Sequence, residues 1–258
     1  VYKRQILEAA RDGDRDRVLA WLDAPDVEET RDVNAVGEGD VSLLMMIASR
    51  LDSETSLELA RDLVHRGADV NHSSVSENLS VIVVALGSLQ HAGIDEFVRD
   101  FVILLIENGL EFDDLTALFP LSCFLPGQRT TYQGPSSRFI AEIFFAMVRA
   151  GAPITHVVRE CQLEETNHPA LAHEEHWSAC RALAEGVQAA GGSWAGYRRM
   201  QRKEVLRLRS LVLRGRARAR RTRGADPVVA RVLRLPNELV WKIMAYWRCR
   251  SDITGEVI

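Results

Sequence analysis

Cysteine is scarce. There are four in 258 residues, at Cys123, Cys161, Cys180 and Cys249, and none sits in a CxxC pair. So sparse a set builds no disulfide scaffold in a chain of this length, and it points to a reducing, intracellular compartment, cytoplasmic or nuclear. Long apolar runs are also lacking. The longest, Leu79–Leu89 and Phe101–Ile106, fall short of the roughly 20 residues that cross a bilayer, so no membrane span is expected. No basic segment leads into an apolar core at the N-terminus, hence no signal peptide is visible. The first residue is Val1 rather than Met, which leaves a removed organelle-targeting leader open. Catalytic signatures are missing as well. There is no G-x-S-x-G elbow and no G-x-x-x-x-G-K phosphate cradle. Gly37–Glu38–Gly39 lacks the third glycine of a dinucleotide fingerprint and puts an acid where a pyrophosphate would approach. The expectation is a protein that is not an enzyme and needs no cofactor.

What is present is a charge split. The net charge of −4 averages two unlike parts. Residues 1–197 carry 15 Lys/Arg against 31 Asp/Glu. Residues 198–223 carry 12 Lys/Arg against the single acid Glu204. An acidic body followed by a basic segment points to interaction surfaces. Hydrophobic residues make up 47% of the chain, enough to bury a core.

One short motif recurs. It reads RGADV at Arg66–Val70, NGLEF at Asn108–Phe112, AGAPI at Ala150–Ile154 and AGGSW at Ala190–Trp194. Gly67, Gly109 and Gly151 are 42 residues apart, and Gly191 follows 40 later. Each glycine ends an apolar stretch at helical spacing, such as Phe101–Leu104–Leu105 or Ile143–Phe144–Met147–Val148. Glycine accepts the left-handed conformation that stops a helix there. A second helical stretch precedes each one: Leu43–Ser49, Leu79–Leu89, Leu118–Phe124 and Ile154–Cys161. The unit is helix, loop, helix, glycine stop and short extended turn. One such pair cannot cover its own apolar face, so stacked neighbours must do it, as in a solenoid. Phe97–Ile106 is apolar nearly all round, which suits an inner unit covered on both sides.

These residues resemble the ankyrin-repeat family. Leu63–Val64–His65–Arg66–Gly67–Ala68–Asp69–Val70–Asn71 is similar to its L-L-x-x-G-A-x-x-N, and Ile6–Asp14 to its L-x-x-A-A-x-x-G-D. Val18–Leu19–Trp21–Leu22 resembles its second helix, Asp32–Val33–Asn34 its loop, and Ser42–Leu43–Leu44–Met45 a degenerate T-P-L-H. The period is longer than the family's, and Phe119–Pro135, with three prolines and two glycines, reads as an insertion. The resemblance implies an all-α, ankyrin-repeat-like helical solenoid of about five units over residues 1–194. A basic helix and Arg-rich linker (195–224) and a short helical end (225–258) follow. On Tyr197–Leu213 the spacing puts Val205, Leu208, Leu211 and Val212 on one face. Leu235–Pro236–Asn237–Glu238–Leu239 with its following helix resembles the opening of an F-box, and Ser210–Leu211 with Leu235–Pro236 a SOCS box.

Candidate sites follow from this layout. The family binds protein partners through loop tips and the concave helix face, so the resemblance implies a non-catalytic scaffold. By this reading the exposed loops are Val36–Asp40, His72–Glu77 and Asp113–Asp114. The candidate residues are Val36, Glu38, Asp40, His72, Ser74, Glu77, Asp113 and Asp114, and their acidity fits a partner with basic surface. Leu235, Pro236, Leu239, Ile243 and Trp247 have two readings, a cap on the last repeat or a dock for a cullin-type ubiquitin ligase subunit. Arg214, Arg216, Arg218, Arg220, Arg221 and Arg223 have three: a solvated linker, docking on an acidic surface, or nucleic-acid phosphate binding. The last is an outsider, because aromatics for base stacking are not interleaved. Cys161, His168, His173, His176 and Cys180 have metal-ligand character, and on one helix His173, His176 and Cys180 share a face. Trp177, Cys180, Ala184 and Val187 also form an apolar stripe. Cys180 is therefore expected in the core, and no metal site is assigned.

Overall fold

A computed structural model describes residues 2–24, 32–75, 79–88, 95–113, 116–125, 137–214, 235–236 and 239–240. Among them the chain is all-α, with eleven α-helices and one hairpin of two-residue strands. The helices come in pairs: α1 (Tyr2–Arg11) with α2 (Arg15–Asp23), α3 (Leu43–Ala48) with α4 (Glu54–His65), and α5 (Val81–Ser88) with α6 (Asp95–Glu107). Then come α7 (Phe119–Ser122) with α8 (Ser137–Ala150), and α9 (Val157–Asn167) with α10 (Glu175–Ala189). The last is α11 (Trp194–Leu213). No described helix is long and apolar enough to cross a membrane. The chain divides into two compact units, residues 1–185 and 186–258.

Local chemistry sets the helix ends. The side chains of Asp14, Ser42 and Ser53 accept from the N–H groups of Arg17, Met45 and Ser56, capping α2, α3 and α4. At the other end the recurrent glycines act as expected. Gly67, Gly109 and Gly151 have φ of 90°, 86° and 105°. The N–H one residue on closes each helix: Ala68 donates to Leu63 (2.9 Å), Leu110 to Leu105 (3.0 Å) and Ala152 to Met147 (2.9 Å). This is the Schellman closure, and it occupies carbonyls that the helix leaves without a partner.

In unit 1–185 the pairs stack in two rows. In the first row α1 packs on α3, α3 on α5 and α5 on α7. In the second, α2 packs on α4, α4 on α6 and α6 on α8. Within each of these pairs the two helices also touch. The core therefore runs along the stack. Leu43, Leu44, Met45, Ile47 and Ala48 are all buried, which is five of the six residues of α3. Val98, Phe101, Val102 and Leu105 of α6 are fully buried as well. Each large apolar side chain removed from water contributes about 1.5–3 kcal/mol, so a mid-stack helix carries several times what an exposed end can. Ion pairs tie the second row: Arg15 to Asp62 (2.6 Å), Arg66 to Asp23 (2.6 Å) and Arg99 to Glu142 (3.3 Å). Arg66 and Asp23 are exposed and Arg15 is half-buried, and pairs with this much solvent access add about 0–1 kcal/mol, so they adjust register more than stability.

Some elements differ from the spacing. The helix expected over Ile154–Cys161 begins only at Val157, whose N–H reaches the Ile154 carbonyl (3.1 Å) in a turn after Pro153. Part of the segment read as an insertion is helical. Phe119–Ser122 winds with Pro120 in its first turn, where a missing N–H leaves nothing unpaired. In unit 186–258, the expected apolar face of α11 is only half-buried at Val205, Leu211 and Val212, and Leu208 does not join it. Leu208 is 38% exposed, while Arg209 is 5% exposed. Arg209 donates to the Leu235 carbonyl (2.5 Å), a bond that offsets the cost of burying its guanidinium.

Alanine in place of Gly67 or Gly109 tests the helix stops. An added Cβ meets nothing within 4 Å at either site, so only the left-handed backbone opposes it. Each change is expected to lower unfolding free energy by about 1–2 kcal/mol in a urea titration, and asparagine by less. An alanine variant as stable as the parent would refute the stop.

Candidate functional site

The loops between helix pairs lie against one another. In the first loop, Val36 and Ser42 form an antiparallel bridge, and Gly37 donates to the Val41 carbonyl (2.9 Å). In the second, β1 (Ser73–Ser74) pairs with β2 (Leu79–Ser80). Gly39 and Asp40 are both left-handed, at φ 76° and 56°, a conformation glycine and aspartate tolerate. Their carbonyls are taken up by the second loop. Ser74 Oγ donates to the Gly39 oxygen and His72 Nε2 to that of Asp40, each at 2.6 Å.

A side-chain bridge repeats beneath these turns. Asn34 Nδ2 donates to the Gly67 carbonyl (3.2 Å), and its Oδ1 accepts from the Asp69 N–H (2.7 Å). Asn71 does the same one loop later, to the Gly109 carbonyl (3.0 Å) and the Glu111 N–H (2.8 Å). A carboxamide offers a donor and an acceptor side by side on one planar group. The bridge then ends. Asp113 holds the place after Gly109 that Asn71 holds after Gly67, and a carboxylate has no N–H to give. Pro153 holds the place of Asp69 and Glu111, and proline has no backbone N–H. Asp113 turns to its own loop instead, accepting from the Thr116 N–H (2.7 Å).

The expected loop residues separate into two sets. Val36, Glu38, Asp40 and Asp113 are exposed. Ser74 and His72 are not open tips. Ser74 is 1% exposed and His72 half-buried, because both hold the preceding loop. Glu77 and Asp114 lie outside the described residues, as do Arg216, Arg218, Arg220, Arg221, Arg223, Ile243 and Trp247. Arg214 is exposed at the end of α11. Near Leu235 and Pro236, Leu239 is 46% exposed and Val240 buried, so the inward side chain there is Val240. Asn34 and Asn71 lie outside the loop residues expected to bind, and the sequence signal that marks them is the recurring Asp-Val-Asn of Asp32–Asn34 and Asp69–Asn71.

Around α9 and α10 the histidines and cysteines do not converge. Among the described residues no three His, Cys, Asp or Glu groups gather as a metal site. His173 ends a 3-10 turn (Pro169–His173) and does not share the helix of His176 and Cys180, because Glu174 between them is extended. Cys161 and Cys180 are buried. Burial pushes the Cys161 thiol up to about 12, with the Glu165 charge adding to it, and burial pushes Cys180 up further. Both stay protonated at neutral pH and are poor nucleophiles and ligands. Beside them, Trp177 Nε1 donates to Glu165 Oε1 (2.8 Å), and Glu165 also pairs with Arg181. Phe124 meets the Trp177 ring edge-on at 5.6 Å. These contacts leave a pit of about 130 Å³ lined by Leu121, Leu125, Cys161, Trp177, Glu160 and Glu164, among others.

In comparisons with known proteins, no family model, no curated protein and no solved structure matches the chain.

Replacing Asn71 by aspartate should remove the donor to Gly109 and set a carboxylate against that carbonyl. A loss of about 1–3 kcal/mol is expected on denaturant unfolding, and unchanged stability would disprove the bridge. Maleimide mapped by mass spectrometry should spare Cys161 and Cys180 at neutral pH and modify both in urea. Rapid labelling of either in the folded protein would contradict their burial.

Proposed function

We propose that the chain is an ankyrin-type helical solenoid that serves as a non-catalytic protein-binding scaffold. The observation that carries this reading is the bridged loop face. Consecutive loops are held by Asn34 and Asn71, so the exposed Val36, Glu38, Asp40 and Asp113 are presented on a fixed backbone. A preorganised surface loses less conformational freedom on binding than separate mobile loops. The two-row packing of the helix pairs supports the solenoid part of the proposal. Residues 1–197 hold the 31 acids and 15 bases counted above, and residues 186–197 carry none of them, so the acidity lies on residues 1–185 and favours a partner with basic surface.

A second reading has an observation of its own. Leu239 is 46% exposed beside a buried Val240, which leaves an apolar side chain for a ligase subunit at the F-box-like end. In that reading the protein is a substrate adaptor of a cullin-type ubiquitin ligase.

One affinity purification tests both. Partners recovered by the full chain should fall about tenfold when Glu38, Asp40 and Asp113 are all changed to lysine, and should weaken as salt rises. Equal recovery by the charge-reversed chain sinks the loop-face reading. Cullin-type subunits should vanish when the chain is ended at Gly224, and their absence from the full-length sample sinks the adaptor reading.

A further inference from the structure

We infer that the pit beside α9 takes a single arginine side chain from a partner protein. Size sets the first limit. At about 130 Å³ the pit is smaller than the roughly 300–1,000 Å³ of cofactor and metabolite pockets. It is close to the ~150 Å³ cavity that admits one benzene. One side chain fits, and a cofactor does not.

The lining sets the chemistry. Leu121, Cys161 and Trp177 are almost fully buried and form an apolar floor, with Leu125 half-buried at the side. A floor of this kind holds a methylene stem. The carboxylates are on α9, where Glu160 and Glu164 are half-buried and one helical turn apart. Glu165 on the same helix is already engaged by Trp177 and Arg181. By contrast, Glu164 Oε2 faces His168 Nε2 on the same helix face at 3.8 Å. An apolar stem ending in a cation satisfies both halves of such a site. An acidic ligand is repelled, and a purely apolar one covers the Glu160 and Glu164 carboxylates without supplying a cation to either. Arginine fits better than lysine. Its planar fork reaches two carboxylates at once, it stacks on an indole, and it is less strongly hydrated than an ammonium.

This deepens the protein-binding reading and rests on it, but it concerns a different surface from the loop face. The test is a nuclear magnetic resonance titration of the full chain with acetyl-Gly-Arg-Gly-amide, followed at the Trp177 indole N–H. A saturable shift is expected. The lysine peptide should bind several-fold more weakly and the norleucine peptide not at all. Glu160→Gln with Glu164→Gln should weaken the arginine peptide about tenfold or more, as loss of charged hydrogen bonds entails, with circular dichroism unchanged. Ser122→Met, which fills the pit and keeps both carboxylates, should abolish the shift. Equal binding of arginine and lysine or norleucine peptides overturns the inference, as does parental affinity in the glutamine variant. Neither outcome alters the expected loop-face purification, so the two readings fail separately.

Discussion

The helix pairs from α1 to α8 depend on one constraint: a short helix pair cannot cover its own apolar face. α3 is six residues long, and five of them are buried. In isolation it would be far too short to persist in water. It persists because α1 and α5 cover it on two sides and α4 on a third. The same dependence passes from pair to pair, so stability is a property of neighbouring contacts more than of any one helix. Changes at one interface should therefore be felt by the pair beyond it.

The loop face inherits this regularity. The glycine that ends α4 and the one that ends α6 are 42 residues apart, and each lies within reach of the asparagine of the preceding loop. At that spacing a single side chain, Asn34 or Asn71, reaches both a carbonyl and an N–H of the next loop. Where the regularity ends, the residues change with it. Asp113 and Pro153 together remove every donor the bridge needs, and the loop at Asp113 folds onto Thr116 instead. The pit lined by α7 and α9 residues lies beyond that point, so the chain carries one surface built by repetition and another built where repetition stops.

Much of the fold was legible along the chain. The glycine interval marks the helix ends, while the caps at Asp14 and Ser42 came to light only in the structure. What local pattern could not reveal was direction. Ser74 and His72 look like open polar loop residues, yet both turn inward to catch carbonyls of the preceding loop. Leu208 and Arg209 exchange the places that apolar spacing assigns them, because a buried guanidinium with a carbonyl to bond is tolerated. Helical spacing groups His173 with His176, but the helix begins only at Glu175.

By itself, then, the sequence determined the all-α class, the helix–glycine rhythm and the acidic character of residues 1–185. Those depend on backbone preference and charge, which are properties of near neighbours and of sums. Tertiary structure alone decided which loop residues stay exposed, that Asn34 and Asn71 join successive loops, and that Trp177, Cys161 and two carboxylates of α9 enclose one pit. Each of those joins residues that are distant in sequence, and only the stacking of helix pairs brings them within hydrogen-bond or van der Waals reach.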